Sequence, residues 1–230
     1  MKRTIVLNLT VGILFLCSCE LDNYATPDIV LEGKVIDVST GEAIQTRQPD
    51  GIKIRLIDEG IISPVPYDFW AQSDGTFRNT KIFAAKYKVS ALQGPFEESS
   101  VTEVSLDLTK NQTITIKAEP FVRLTNVNIT KSGNGIKATY KISPTTSPKK
   151  IQRSMLICYT SPILHENTNG KLSSATNILS GMTNGDIAAR EFVDEIKNLQ
   201  AGETYYARVA VLAANSLNRY NYSAIIKIIL

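Results

Sequence analysis

Histidine is almost absent from this sequence, which contains one residue of that type, His165, in 230. A metal site built from several histidines is therefore excluded, and a Ser-His-Asp triad would depend on this single residue. His165 lies in a segment rich in Ser, Thr, Asn and Gly, which favours a solvated loop histidine over a catalytic base. The nucleophile pattern Gly-x-Ser-x-Gly and a glycine-rich phosphate-binding loop are also missing.

The N-terminus combines two basic residues, Lys2 and Arg3, with an almost wholly apolar run over residues 4–16. That run is too short to span a membrane and is typical of a secretory signal peptide. The segment Leu16-Cys17-Ser18-Cys19 that follows it resembles a bacterial lipobox. The resemblance implies cleavage after residue 18 and a lipid anchor on Cys19. An ordinary signal peptide with incidental cysteines is the alternative.

A lipid on Cys19 makes outer-membrane lipid the first predicted partner of the protein. Each buried CH₂ group contributes about 0.8 kcal/mol, so two or three acyl chains hold a protein on a membrane almost permanently. Glu20 and Asp22 resemble the acidic tag of cell-surface lipoproteins in Bacteroidetes, with Leu21 between them. We therefore expect an outer-membrane lipoprotein on the cell surface, with a periplasm-facing orientation as the alternative.

Cysteine is scarce in the rest of the chain, where Cys158 stands alone. With Cys17 removed and Cys19 lipidated, no pair remains for an internal disulfide. Cys158 lies in the apolar run 154–159, which predicts a buried strand. We interpret its thiol as a small hydrophobic group rather than a nucleophile.

The excess of positive charge is small. Residues 1–18 contain two of the 25 basic residues and no acidic one, so their removal lowers the formal charge from +3 to about +1. No cluster of Lys and Arg with interleaved aromatic residues appears elsewhere. Nucleic acid is therefore not an expected partner.

Long stretches of helical period are missing from the mature chain, and short runs of alternating apolar and polar residues take their place. Residues 52–56, 86–91 and 113–116 show this alternation most clearly. The pattern predicts half-buried strands and an all-β protein. Two segments depart from it: residues 161–184 predict a long polar loop, and residues 185–199 contain apolar residues at helical spacing.

The chain divides into four predicted parts: a signal peptide (1–18), a tether (19–27), a first domain (28–119) and a second domain (120–230). Pro120 breaks the strand pattern and marks the boundary between the domains. The short linker predicts that the two domains lie close together. Within the second domain, Asn134-Gly135 between two strand-like runs predicts a β-hairpin.

The first domain contains a Thr40-Gly41 turn, the run Asp74-Gly75-Thr76-Phe77, and Tyr87 before Val89. This order resembles transthyretin-like β-sandwiches of the carboxypeptidase regulatory type. The resemblance implies that Gly75 adopts a conformation that other residues avoid, and that Phe77 and Tyr87 fill the space between two sheets. The sequence departs from the family at Ala85-Lys86, where glycine is usual.

The second domain contains Leu199-Gln200-Ala201-Gly202-Glu203-Thr204-Tyr205, which resembles the corner between strands E and F of fibronectin type III domains. The resemblance implies that the Tyr205 hydroxyl bonds to upstream backbone. Ala201 replaces the usual proline. We therefore predict two tandem β-sandwiches, transthyretin-like and fibronectin type III-like.

The whole chain resembles a family of two-domain Bacteroidetes lipoproteins of unknown function. The runs Asp68-Phe69-Trp70 and 74–81 carry this likeness most specifically. Such proteins accompany outer-membrane glycan-uptake systems, so the resemblance implies an oligosaccharide ligand and a transporter–lipoprotein uptake complex as partners. No cofactor is implied.

Two aromatic clusters are candidate carbohydrate sites, because sugars stack on exposed aromatic rings. The first cluster contains the only tryptophan and has polar neighbours, and the second precedes the last strand. The candidate ligand-binding residues are Tyr67, Phe69, Trp70, Arg78 and Asn79 in the first cluster, and Arg219, Tyr220 and Tyr222 in the second. Phe96 is a weaker third candidate. For the first cluster, burial of Phe69 or Trp70 in the core is the alternative, although the two cannot both face inward on one strand. For the second cluster, the alternative is a hairpin turn whose tyrosines lie over a sheet edge.

Acidic residues are the remaining candidates for catalysis or metal binding. The adjacent pairs Asp58-Glu59, Glu97-Glu98 and Asp194-Glu195 would point to opposite faces of a strand, so glycoside hydrolysis is a less favoured hypothesis. Four acids in predicted turns could hold calcium, but turn chemistry explains them without metal: Asp37, Glu42, Asp50 and Asp74. We expect no enzymatic activity and no metal site. The leading hypothesis is a glycan-binding accessory lipoprotein, and the alternative is a structural or adhesive spacer that binds a protein partner.

Overall fold

The computed structural model describes residues 25–146 and 148–230. The predicted signal peptide and the Cys19 anchor lie outside the described residues. Within the part described, no helix is long and apolar enough to cross a membrane.

The first eight strands form a sandwich of two four-stranded sheets, ordered β4-β1-β8-β6 and β3-β2-β5-β7. Strands β1 and β8 are parallel, and β3 and β4 are each terminal strands of their sheets. The strand bounds are β1 (Ile29–Asp37), β2 (Lys53–Asp58), β3 (Tyr67–Trp70), β4 (Thr76–Ile82), β5 (Ala85–Leu92), β6 (Phe96–Glu97), β7 (Val104–Leu108) and β8 (Gln112–Pro120). A single 3₁₀ turn, Glu98–Ser100, follows β6.

The alternation of apolar residues builds the core of this first domain. Ile54 and Leu56 on β2 and Val89 on β5 are buried between the sheets, and Phe77 and Tyr87 lie among them as predicted. Gly75 has a φ of 80°, and a Cβ there would lie 2.5 Å from the carbonyl oxygen of Ile44. The expected requirement for glycine at this turn is therefore confirmed.

The other nine strands form the second domain, with one sheet ordered β14-β10-β9 and another centred on the pair β11 and β15. Strands β12 and β13 pair with β11, and strands β16 and β17 pair with β15. The bounds are β9 (Val122–Ser132), β10 (Gly135–Pro144), β11 (Ile151–Tyr159), β12 (Leu172–Ser173), β13 (Asn177–Ile178), β14 (Phe192–Ile196), β15 (Thr204–Ala213), β16 (Tyr220–Tyr222) and β17 (Ile226–Ile229). One short helix, α1 (Asn184–Ala188), precedes β14.

Three details test the sequence predictions for this domain. The backbone N–H of Gln200 donates to the Tyr205 hydroxyl at 3.3 Å, which confirms the tyrosine corner. Cys158 is buried in β11, as expected, and burial raises the pKa of its thiol to about 11. The β9–β10 hairpin exists, but its turn is Gly133-Asn134, one residue before the predicted position, and Gly135 is already paired with Ser132. The all-β fold with two sandwich domains is confirmed.

The helical spacing predicted over residues 185–199 is realised over a single turn only. Helix α1 buries Ile187, and the Thr183 hydroxyl caps it by accepting from the N–H of Asp186 at 3.1 Å. The remaining apolar residues of the segment belong to β14, where Phe192 and Ile196 face the core. The long polar segment 161–184 is a loop except for the two-residue strands β12 and β13 and for Asn184, where α1 begins.

Candidate functional site

The β2–β3 hairpin places two pairs of side chains on the outer face of its sheet. Lys53 lies opposite Trp70, and Arg55 lies opposite Asp68, in the antiparallel register. The residues between them, such as Ile54, face the core, because successive side chains of a strand alternate between faces. We call Lys53, Arg55, Asp68 and Trp70 the Trp70 platform.

Asp68 is held rigidly within the Trp70 platform. Arg55 donates to its two carboxylate oxygens at 2.8 and 2.7 Å, and Lys53 Nζ lies 3.5 Å from Asp68 Oδ2. The hydrogen bond from Arg55 lowers the pKa of Asp68 and outweighs the opposing effect of burial. The carboxylate is therefore charged at neutral pH and has a fixed orientation.

Trp70 leaves 40% of its surface exposed, while Lys53 Nζ lies 5.1 Å from the ring centroid. Its ring is accessible because β3 is a terminal strand of its sheet. A sugar can bury its apolar C–H face on such a ring while its hydroxyls hydrogen-bond to planar polar groups nearby. Asp68 and Arg55 are groups of this kind. They form the next pair on the same face of the hairpin, two residues away from Trp70 and Lys53 along each strand.

The other predicted residues of the first cluster do not join Trp70 on one surface. Phe69 is half-buried, with its ring centroid 6.1 Å from that of Phe77, so Phe69 and Trp70 do face opposite sides as expected. Tyr67 is exposed at the side of the sandwich, where its hydroxyl accepts from Asn79 Nδ2 at 2.9 Å. Tyr67 and Asn79 thereby link the terminal strands β3 and β4 of the two sheets.

Arg78 lies on the outer face of the other sheet. Its guanidinium is 3.1 Å from the Glu32 carboxylate, and it lines a shallow groove of about 380 Å³ over β1, β4 and β8. The expectation that Arg78 shares a surface with Trp70 is therefore wrong, because β3 and β4 belong to different sheets.

The second predicted cluster is not an exposed loop. Tyr220 and Tyr222 belong to β16 and are only 7% and 6% exposed, and Arg219 is buried as well. Arg219 Nε donates to the carbonyl oxygen of Gln93 in the first domain at 2.8 Å. The two tyrosines pack against Leu164 and Leu212 of their own domain and offer no aromatic surface to a glycan. Phe96, the third candidate, is also buried.

Charged residues from both domains meet where these side chains are buried. Arg47 of the first domain lies 2.8 Å from Glu166 of the second, and Glu166 also accepts a hydrogen bond from the Tyr222 hydroxyl. Arg208 is fully buried, with its guanidinium 3.6 Å from the Tyr222 ring centroid, and donates to the carbonyl oxygen of Thr46 across the boundary at 3.0 Å. We call Arg47, Glu166, Arg208 and Tyr222 the junction cluster.

His165 lies beside this cluster rather than in solvent, which corrects the expectation of a solvated loop residue. Its side chain is 18% exposed, and Nδ1 is 3.8 Å from Glu166 Oε2. Burial lowers the pKa of His165, and the nearby Glu166 carboxylate opposes that effect. The imidazole is therefore neutral at physiological pH.

A cleft of about 620 Å³ lies beside the junction, between the turn after β1 and strand β9. Its wall includes Asp37, whose Oδ1 accepts from Arg123 Nη2 of the second domain at 2.8 Å. Tyr222 is the aromatic residue of its lining, and it is buried. The cleft offers a sugar hydrogen-bonding groups but little aromatic surface, so the Trp70 platform is the better candidate.

Several of the acidic residues considered for chemistry have fixed partners. Asp194 is buried and accepts from the Tyr140 hydroxyl at 2.9 Å, whereas Glu195 faces the other side of β14 near Lys197. Asp37 and Asp50 are each bound by arginine. Over residues 25–146 and 148–230, no three His, Cys, Asp or Glu side chains come together to form a candidate metal site.

The fold and the platform define a two-domain β-sandwich protein with a surface aromatic site. Residues 29–119 match the family described as "Protein of unknown function (DUF3823) N-terminal domain". This match confirms the expected resemblance of the chain to a family of unknown function. No curated protein sequence matches the chain.

Solved structures of this kind resemble the whole described chain. A candidate carbohydrate-binding protein from Bacteroides uniformis is 24% identical, with a TM-score of 0.75 over 89% of this chain and 100% of its own. A DUF3823 family protein from the same species is 21% identical, with a TM-score of 0.73 over 89% and 100%. Another from Bacteroides ovatus is 25% identical, with a TM-score of 0.69 over 87% and 98%. The two-domain arrangement is thus common to these proteins.

Proposed function

We propose that this protein is a lipid-anchored, cell-surface accessory lipoprotein that binds carbohydrate without cleaving it. The observation that carries the proposal is the exposed ring of Trp70 beside the fixed Asp68–Arg55 pair. This arrangement supplies both an apolar stacking surface and oriented hydrogen-bonding groups. The ligand class it suits is an oligosaccharide.

Two further observations support this role. The lipobox ending at Cys19 supports attachment to the outer membrane, as an accessory to a glycan-uptake complex. A structurally similar protein from Bacteroides uniformis is described as a candidate carbohydrate-binding protein. A role without catalysis is supported by Asp194 and Glu195, which lie on opposite faces of β14 and so do not converge on one bond.

A structural spacer that binds a protein partner is the second candidate. The buried junction cluster favours it, because a charge pair and a hydrogen bond across the boundary connect the two domains. The transporter–lipoprotein uptake complex would be the partner. Co-purification from solubilised outer membrane without any measurable glycan affinity would favour this role over carbohydrate binding.

Calorimetry against a panel of polysaccharides tests the carbohydrate-binding proposal. We expect one glycan class to bind the wild type, and Trp70→Ala to weaken that binding at least tenfold. Phe83→Ala is the matched control, because Phe83 is another exposed aromatic residue, 51% exposed, outside the Trp70 platform. Equal affinity of wild type and Trp70→Ala, or the absence of binding to every glycan, would refute the proposal.

A further inference from the structure

The first domain exposes several large apolar side chains at one end. Ile62 and Val65 in the β2–β3 loop are 96% and 90% exposed, and Ile61 in the same loop is 57% exposed. Phe83, in the β4–β5 turn, is 51% exposed. Single exposed apolar residues are common on soluble proteins, but a group of four at one end indicates a contact surface. We call Ile61, Ile62, Val65 and Phe83 the tether-end patch.

Backbone and side-chain contacts bring the loop and the turn together. Asp58, at the base of the loop, pairs with Tyr87, and the Tyr87 hydroxyl donates to the carbonyl oxygen of Phe83 at 3.2 Å. The N–H of Glu59 donates to the carbonyl oxygen of Lys86 at 2.8 Å. The loop is therefore fixed at its base beside the turn.

The loop itself is stiffened while its apolar side chains face outward. Pro64 and Pro66 flank Val65, and proline fixes φ near −65°. Ser63 has a φ of 58°, so the backbone bends in a left-handed conformation just after Ile62. A stiff loop loses little conformational entropy when it binds a surface.

The chain enters the first domain at this same end. Ile29, the first residue of β1, pairs with Ile82, which immediately precedes Phe83. The junction with the second domain lies at the other end of β1, where Asp37 binds Arg123. The eight steps between the nine residues of β1, at about 3.3 Å each, separate the two ends by roughly 26 Å.

We propose that the tether-end patch contacts the lipid surface on which Cys19 anchors the protein, an inference that rests on the lipid anchor in the proposed function. Ten residues lead from Cys19 to Asp28, so the start of β1, beside the patch, lies within roughly 35 Å of the anchored residue even if the tether is fully extended. The acyl chains supply the attachment, and the patch fixes the orientation. The Trp70 platform, near the junction end of β3, is then held away from the membrane and open to solvent.

An environment-sensitive fluorophore at position 62 tests this inference on the full-length lipidated protein in phospholipid vesicles. Ile62→Cys can be labelled selectively, because Cys158 is buried and Cys19 carries the lipid. Val193→Cys in the second domain, where Val193 is 57% exposed, is the matched control. We expect the label at 62 to shift to shorter wavelengths and to be quenched by lipids carrying a doxyl group, and the label at 193 to do neither.

Flotation of the same vesicles separates the two possible failures. Protein that floats with the vesicles, while the label at 62 stays in water, would overturn the lipid contact but leave the anchor intact. A protein partner would then be the occupant of the patch. Protein that does not float would refute the anchor at Cys19 and the lipid contact with it, whereas calorimetry of glycan binding would be unaffected.

Discussion

Glu166 neutralises a buried concentration of positive charge at the domain junction. Its side chain is 7% exposed, lies 2.8 Å from Arg47 and accepts from Tyr222. Burial lowers the pKa of Arg208 to about 10, and the Glu166 carboxylate opposes that lowering. Replacement of Glu166 by the isosteric glutamine removes the negative charge without leaving a cavity. Two arginines would then remain buried with less compensation.

The expected cost of Glu166→Gln is about 3 kcal/mol in the free energy of unfolding. Removal of one partner from a buried ion pair costs about 3–5 kcal/mol. At an effective dielectric constant of about 20, opposite charges about 4 Å apart attract by about 4 kcal/mol, which is consistent with that range. The retained hydrogen-bonding capacity of glutamine places the estimate at the lower end.

Urea denaturation followed by circular dichroism measures this cost, because urea carries no charge and does not screen the cluster. Glu195→Gln is the matched control, since Glu195 pairs with Lys197 on the surface at 3.2 Å and should lose less than about 1 kcal/mol. A Glu166→Gln variant within 1 kcal/mol of the wild type would show that the junction cluster contributes little to stability.

Three further predictions concern separate features of the chain. Gly75→Ala should lower the free energy of unfolding by about 2 kcal/mol or more. Gly41→Ala should lower it by only about 1 kcal/mol, because Gly41 has a φ of 74° but nothing lies within 4 Å of the new Cβ. Equal losses in urea denaturation would contradict the steric explanation. The thiol of Cys158 should resist alkylation at pH 8 in the folded protein and react after unfolding in urea, since burial raises its pKa to about 11. Burial alone would raise the pKa of Asp37, but Arg123 lowers it below the ordinary value of 3.8, so its stabilisation is complete at neutral pH and is lost as the pH falls through the folded pKa. Asp37→Asn should therefore lose less stability than the wild type between pH 7 and pH 3.

The sequence predicted those parts of the fold that depend on local pattern. The alternation at Ile54 and Leu56 and the corner at Tyr205 follow from strand geometry and a local hydrogen bond, so both could be identified without coordinates. The hairpin turn was misplaced by one residue because Gly133 and Gly135 flank the same asparagine. Local sequence does not show which glycine adopts positive φ.

The burial of the second aromatic cluster could not be predicted in the same way, because it depends on contacts between domains. Tyr222 and Arg219 are polar enough to suggest a surface, but Arg219 bonds to Gln93 of the first domain, and Tyr222 bonds to Glu166, which pairs with Arg47 of the first domain. One signal was available in the sequence: residues 207–213 of β15 form a nearly continuous apolar run, which is typical of a strand buried on both faces. Arg208 in that run indicated a buried, partnered charge.

The partners of Trp70 likewise depend on pairing between strands. Lys53 and Arg55 precede it by more than ten residues, and only the β2–β3 register places them opposite Trp70 and Asp68. The long β2–β3 loop gives no sequence signal for that register. The exposure of Trp70, in contrast, agrees with its position next to the inward-facing Phe69.

The fluorescence of Trp70 offers the most direct test of carbohydrate binding, because the sequence contains no other tryptophan. A glycan that binds in calorimetry should shift the tryptophan emission of the full-length protein to shorter wavelengths, saturably, and with the same midpoint as the heat signal. An emission spectrum that stays unchanged while the protein is saturated with glycan would show that the sugar does not cover the Trp70 ring.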